Sequence, residues 1–396
     1  MSLWRSIKKY STEEWLYFAI IVGWNGWWPL WAYSIPYNAI MCYGSVLFLF
    51  IIFLAKHQKG KSNYAIILSL FLYFFLYQMF YTIQLSMVFI ILGYVVACKL
   101  RPQKATNVIY LLTKYISISI LISLPFWLIH QYVHPLPLYQ YIDVSSFKGG
   151  NDILYENYFF FIAKENFEAM RFYSLFDEPG TLGTLSAFIL WANNYDFKKK
   201  DNVIILIGAF FTFSMAFYII TIIGFILNSN ASLKKKLFTL CIIVIVLLFL
   251  TRILSNNLAF NNSVVYRFTN FSETSVDSRN DDAVNSLWNS FIYSHKIFLG
   301  YGAGSLKTLG LTPTSYKWFV LQYGLVGTIL ILISYIKMTR CRKLYMYLTL
   351  LIFVISSLQR PQLLTAQNFV LFACIVNSFV FRKTCYKHHI DYGSQR

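Results

Sequence analysis

Charge is what this sequence has least of: Asp, Glu, Lys and Arg make up 13% of its 396 residues, where a soluble domain carries about 25%. Only 16 residues are acidic. A chain so poor in charge cannot clothe a soluble globule of this length. Cysteine chemistry is equally thin. Cys42, Cys98, Cys241, Cys341, Cys374 and Cys385 fall in apolar segments or beside basic blocks, and no disulfide framework or CxxC metal site is readable from them. There is no internal repeat of fixed period and no inverted pair of broken apolar segments of the kind transporters show. No small-residue cleavage pattern follows Arg5, Lys8 and Lys9, and Trp24, Trp27, Trp28 and Trp31 resemble an interfacial belt, so the first apolar stretch reads as an uncleaved span.

What the sequence does have is apolar surface: 57% hydrophobic residues, 19% aromatic, and a mean hydropathy of +0.54. Most of it must face lipid. At about 20 apolar residues per span, helices are expected near 13–33, 37–55, 63–81, 83–98, 107–130, 180–195, 203–213, 214–228, 236–253, 316–338, 344–358 and 363–381. The expected fold is all-α: a polytopic transmembrane helical bundle of about twelve spans. It forms one integral membrane domain over 1–396, with two long extracytoplasmic loops, 131–179 and 254–315, containing short helices. In the first loop the run 158–162, followed by Lys164, Glu165 and Glu168, suggests an interfacial helix.

The net charge of +18 does not indicate nucleic acid. The basic residues stand in short blocks at the ends of apolar segments, such as Lys56/Lys59/Lys61, Lys99/Arg101/Lys104 and the lysine triplets at 198–200 and 234–236. That is positive-inside topology. Both triplets should then be cytoplasmic, yet the apolar run 203–227 between them is long enough for one tilted helix. An even number of crossings requires a turn, expected at Phe211-Thr212-Phe213-Ser214. Polar backbone at membrane depth must be buried in protein or line a cavity, so a cavity is expected there. The alternative is one long span whose serine and threonine bond back to their own helix. With the turn, the cytoplasmic side holds 24 of the 34 basic residues and 5 of the 16 acidic ones, and both termini are expected inside.

Chemistry is expected in the two long loops. The first re-enters the membrane at Arg171-Phe-Tyr-Ser174-Leu-Phe176-Asp177-Glu178-Pro179. Pro179 suits a first helical turn and the carboxylates suit the macrodipole, so a capped helix start explains Asp177. Arg171 and Glu178 together are costly at the membrane surface unless used. In the second loop, Arg267 and Arg279 flank Asp277, and guanidinium forks match phosphate oxygens. Ion pairs among Glu273, Asp277, Asp281 and Asp282 are the alternative. Gly300-Tyr-Gly302-Ala-Gly304 is a turn rather than a dinucleotide site, since no strand precedes it. His295 there reads as a surface residue, while Lys307 and Lys317 suit phosphate or headgroups.

In this order the features resemble the O-antigen polymerases, within the wider O-antigen ligase-like superfamily, over residues 150–330. The resemblance rests on Arg171-x-x-Ser-x-Phe-x-Glu178-Pro179, the Thr212-Phe-Ser214 break, Arg267 and Arg279, and the Gly300-Tyr-Gly302 turn leading to Tyr323-Gly324-Leu-Val-Gly327. It implies a metal-independent membrane glycosyltransferase without a cofactor, joining undecaprenyl-pyrophosphate-linked repeats for lipopolysaccharide or capsule at a bacterial inner membrane. The catalytic residues it implies are Arg171, Glu178, Arg267 and Arg279. Ser174, Asp177, Asp277, Lys307 and Tyr323 fall to substrate binding. Its partners are lipid-linked glycans and membrane lipids; a chain-length regulator is left open.

Two departures bear on the subfamily. Ligases of the superfamily usually have a histidine before the last-loop helix, where Thr312-Pro-Thr-Ser-Tyr316 stands here. Met215 also replaces the arginine that ligases, and some polymerases, place next to Ser214. A ligase and a lipid-linked glycan flippase are the alternative readings. The near absence of charge in the spans, Lys114 apart, weighs against transport.

Overall fold

The computed structural model describes residues 10–24, 38, 40–56, 64–82, 86–143, 154–164, 171–228, 232, 234, 282–311, 315–338, 344–359 and 363–393. The protein is mostly helical. Pro102–Tyr132 and Tyr316–Met338 are long and apolar enough to cross a membrane, and shorter apolar helices follow most of the other expected segments. The expected span 236–253 lies outside the described residues. The chain forms two compact units, one from Met1–Ile21, Met41–Ile109 and Ser272–Arg396, the other from Val22–Ile40 and Tyr110–Phe271.

In the first unit, buried carboxylates tie helix ends together. Glu13 is 5% exposed and accepts hydrogen bonds from Lys56 at 2.6 Å and from Lys104, while Glu14 accepts from Asn107 at 2.6 Å. A carboxylate out of water is tolerated only when paired, so two of the basic blocks meet at one buried acid. Helix Tyr64–Leu70 continues through a π-helical stretch, Phe71–Tyr77, into the short turn Gln78–Phe80. That helix packs against the second loop's glycine turn. Tyr73 donates to the carbonyls of Tyr323 at 2.6 Å and Leu299 at 3.1 Å, and Gln78 accepts from the Ala303 amide at 2.7 Å.

The helix expected at 316–338 is present and carries a break. Gly324 has φ 60 and ψ −170, a region open to glycine alone, and it interrupts Tyr316–Met338. The residues before it pack against the second loop. Leu321 shares a core with Val284, Phe291 and Leu306, and Lys317, 3% exposed, donates to Asn285 at 3.0 Å over the Trp288 ring. The freed carbonyls of Leu321 and Gln322 accept from Tyr301 at 2.7 Å and Gly302 at 3.0 Å. A Cβ on Gly300 would collide with the Gln322 carbonyl, and one on Gly324 with that of Phe298. The two glycine motifs are therefore one joint, in which backbones approach too closely for side chains.

The second unit is built around helix Pro179–Ala192, which is buried on nearly every side. At one end its Gly183 meets Thr212 and Ser214, and at the other its Trp191 meets Gly224. Helix Met215–Asn228 therefore runs alongside it in the same direction. Helix Lys200–Phe210 runs the opposite way, from the Asn193–Asn202 hydrogen bond of 2.9 Å back to the level of Phe172. The apolar run 203–227 is thus a helical hairpin, turning at 211–214, where a turn was expected. Lys114 on the neighbouring helix pairs with Asp201 at 2.7 Å.

The helix expected at 158–168 is replaced, among the described residues, by strand and turn. Gln140–Asp143, Leu154–Asn157 and Ile162–Lys164 form an antiparallel sheet, with Tyr141 opposite Glu156 and Glu156 opposite Ala163. Burial alternates along Leu154–Asn157 with period two, and the apolar run 158–162 has no helical face to bury. Asn157 Oδ1 accepts from Phe159 at 2.9 Å, fixing the tight turn in which Phe159 takes φ 69. The described part of the second loop carries the expected short helices, Asp282–Ile292, Lys296–Leu299 and Ser305–Thr308.

Candidate functional site

The segment 171–179 leads from the sheet into helix Pro179–Ala192, and two of its residues fix its course. Ser174 adopts φ 51 and is fully buried. Its hydroxyl lies 2.7 Å from that of Ser119 and 3.1 Å from that of Ser123, and its carbonyl accepts from Ile162 at 3.1 Å. This expected substrate-binding hydroxyl is spent on holding the segment to helix Pro102–Tyr132.

Arg171 is the other fixed point. Its Nε donates to the Thr212 carbonyl at 3.0 Å and its Nη2 to the Phe213 carbonyl at 3.4 Å, while the Phe172 amide donates to Phe211 at 2.9 Å. Carbonyls at a helix C-terminus lack intrahelical partners, and here a guanidinium edge and one amide supply them. These contacts also fix the plane of the guanidinium. The polar backbone of the turn is buried in protein on this side. On the Gly183 side it is tightly packed, since a Cβ there would lie 2.6 Å from Ser214 Cβ.

Glu178 stands at the N-cap of helix Pro179–Ala192, in extended conformation with Pro179 at the first position. Its carbonyl accepts from Thr181 at 3.1 Å, but its side chain makes no capping hydrogen bond. Glu178 is half-buried. The neighbouring Asp177 is positioned through its backbone, whose carbonyl accepts from the Tyr155 hydroxyl at 2.8 Å.

Beside this segment lies a group that the sequence reading passed over. Glu156 Oε2 accepts from the Tyr158 hydroxyl at 2.7 Å, and the His130 ring packs against Tyr158 with centroids 4.3 Å apart. Burial, with the adjacent Glu156 carboxylate, pushes the Tyr158 hydroxyl above its usual pKa and keeps it protonated. Leu154–Asn157 reads Leu-Tyr-Glu-Asn, with no apolar alternation to mark its period-two burial, so the sequence carried no signal that pairs these side chains.

The remaining expected site residues divide in two. Arg267, Asp277 and Arg279 lie outside the described residues. Lys307 is exposed on the short helix Ser305–Thr308. Tyr323 is 1% exposed, its ring packed against Phe74, Trp318 and Phe319 and its carbonyl bound by Tyr73. Among the described residues no group of three or more His, Cys, Asp or Glu side chains is arranged to hold a metal ion. Comparison with protein families, with curated proteins and with solved structures finds no match to this chain.

Proposed function

We propose that this chain is a membrane glycosyltransferase that joins undecaprenyl-pyrophosphate-linked repeats into O-antigen or capsular polysaccharide on the outer side of a bacterial cytoplasmic membrane. The observation that carries this reading is the setting of Arg171 and Glu178. An arginine and a carboxylate stand at the two ends of one short segment, the arginine held against the turn of an apolar helical hairpin and the carboxylate at the start of the buried helix Pro179–Ala192. In the proposed reaction an acceptor hydroxyl of one repeat attacks the anomeric carbon of another. The bond to the pyrophosphate oxygen breaks, Glu178 takes the hydroxyl proton, and arginines neutralise the departing pyrophosphate. Its leaving group is already activated, so positioning and charge neutralisation are the main demands on the protein. Arg267 and Arg279 enter this reading through the family resemblance and the fit of guanidinium to phosphate.

Glu178→Gln tests it, because the change exchanges one oxygen for an amide at nearly constant volume. The expected result is loss of long polymer at normal protein level, with single repeats still exported and capped onto the lipid acceptor in a host that has a ligase. A polysaccharide ladder beside a protein blot reads both. Loss of every surface repeat, single units included, with the protein abundant, would instead favour the flippase reading.

A further inference from the structure

The described part of the second loop shows two different outer faces. Helix Asp282–Ile292 turns Val284, Leu287, Trp288 and Phe291 into a core with Leu306 and Leu321, and presents Asp282, Ser286 and Asn289 outward, as a water-facing helix should. The residues that follow do the reverse. Tyr293 is 91% exposed and Phe298 59%, with His295 and Lys296 exposed between them and Lys307 exposed nearby.

Three observations say what covers this patch. It is continuous with the apolar outer faces of two helices: the Leu299 carbonyl is bound by Tyr73, beside exposed Leu72 and Leu76, and Phe298 abuts Gly324, just before exposed Leu325, Val326 and Ile329. Its charges are all basic, for no acidic residue occurs between Asp282 and Asp391. And its apolar exposure is confined to this side, the helix before it being polar outside. Lipid-facing side chains next to lysines match an anionic bilayer surface, where apolar groups enter the acyl boundary and ammonium groups stay at the phosphates.

We propose that residues 292–299, with Lys296 and Lys307, are a membrane-surface anchor that seats the second loop in the lipid interface with a preference for anionic headgroups. This rests on the membrane reading of the chain but not on its catalytic assignment. The test places a fluorescent amino acid by stop-codon suppression at position 293 or 298 of the full-length protein in nanodiscs. Position 289 serves as the water-facing control and 329 as the helix control. Nitroxide on the upper acyl chain should quench 293 and 298 at least half as strongly as 329, and leave 289 nearly untouched. Replacing phosphatidylcholine with phosphatidylglycerol should increase quenching at 293 up to about twofold, the ceiling set by full seating, since two lysines near an anionic surface favour the seated state by well over tenfold. Lys296→Gln with Lys307→Gln should remove that increase. If 329 is quenched while 293 and 298 behave like 289, the anchor is overturned and the membrane reading stands. Equal quenching in both lipids overturns the anionic preference. Release of the protein from membranes by alkaline carbonate overturns anchor and membrane reading together.

Discussion

Two helices in this chain stop inside apolar runs, and the two breaks are repaired by different chemistry. At 211–214 the freed carbonyls are met by the Arg171 guanidinium and the Phe172 amide. At Gly324 they are met by the amides of Tyr301 and Gly302 and the hydroxyl of Tyr73. The second repair is neutral and made of close-packed backbone, which is all that satisfying a carbonyl requires. The first uses a full positive charge in an apolar setting, an expensive way to do the same task. It also comes from the segment that carries Glu178. The comparison separates a neutral backbone joint from a break met by a charged side chain.

The largest effect expected from breaking the comparison is at the neutral joint. Gly324→Ala and Gly300→Ala each add a Cβ where φ is positive and a carbonyl already occupies the space, so each should cost about 3 kcal/mol or more. Gly310→Ala, with φ 69 but open space around it, should cost only about 1–2 kcal/mol. Thermal unfolding in detergent would rank the three, and equal losses at 310 and 324 would deny the close approach.

At the charged break, Arg171→Ala strands two carbonyls and should cost about 1–3 kcal/mol for each left unsatisfied. Arg171→Lys should recover part of that stability without recovering long polymer, because a lysine keeps the charge but loses the planar fork. Full polymer from the lysine variant would make Arg171 a cap and nothing more. Reporter fusions at Lys199 and Lys235 should both report cytoplasm, and those near Gly150 and Asn280 the outer side; opposite sides for the two lysines would refute a hairpin that returns across the same membrane face. The smallest effect is Tyr73→Phe, which removes one hydroxyl from the Tyr323 carbonyl and should cost about 1 kcal/mol by the same unfolding measurement.

The helices were legible because apolar length is a local property, and the turn at 211–214 was expected from the lysine triplets on either side of the run. The sheet was not legible. The aromatic run 158–162 is equally apolar for helix and strand, and only the pairing of Ile162–Lys164 with Leu154–Asn157, which makes 158–161 the turn between them, decides. The Gly324 break was hidden for a related reason: its residues read as one hydrophobic span until the loop core at Leu321 claims the first part. For the candidate site, the sequence singled out the segment 171–179 and expected Ser174 at substrate, and the structure buries Ser174 against Ser119 and Ser123.

By itself, then, the sequence determined where the chain is apolar and where its charges gather, since each follows from composition along a few neighbouring residues. Only the tertiary structure decided that Arg171 binds carbonyls 41 and 42 residues away, that Gly300 and Gly324 close one joint, and that Glu156, Tyr158 and His130 meet. Hydrogen bonds and close approaches depend on distances in space, and a residue's chain neighbours do not specify which distant donor will reach it once the helices have packed.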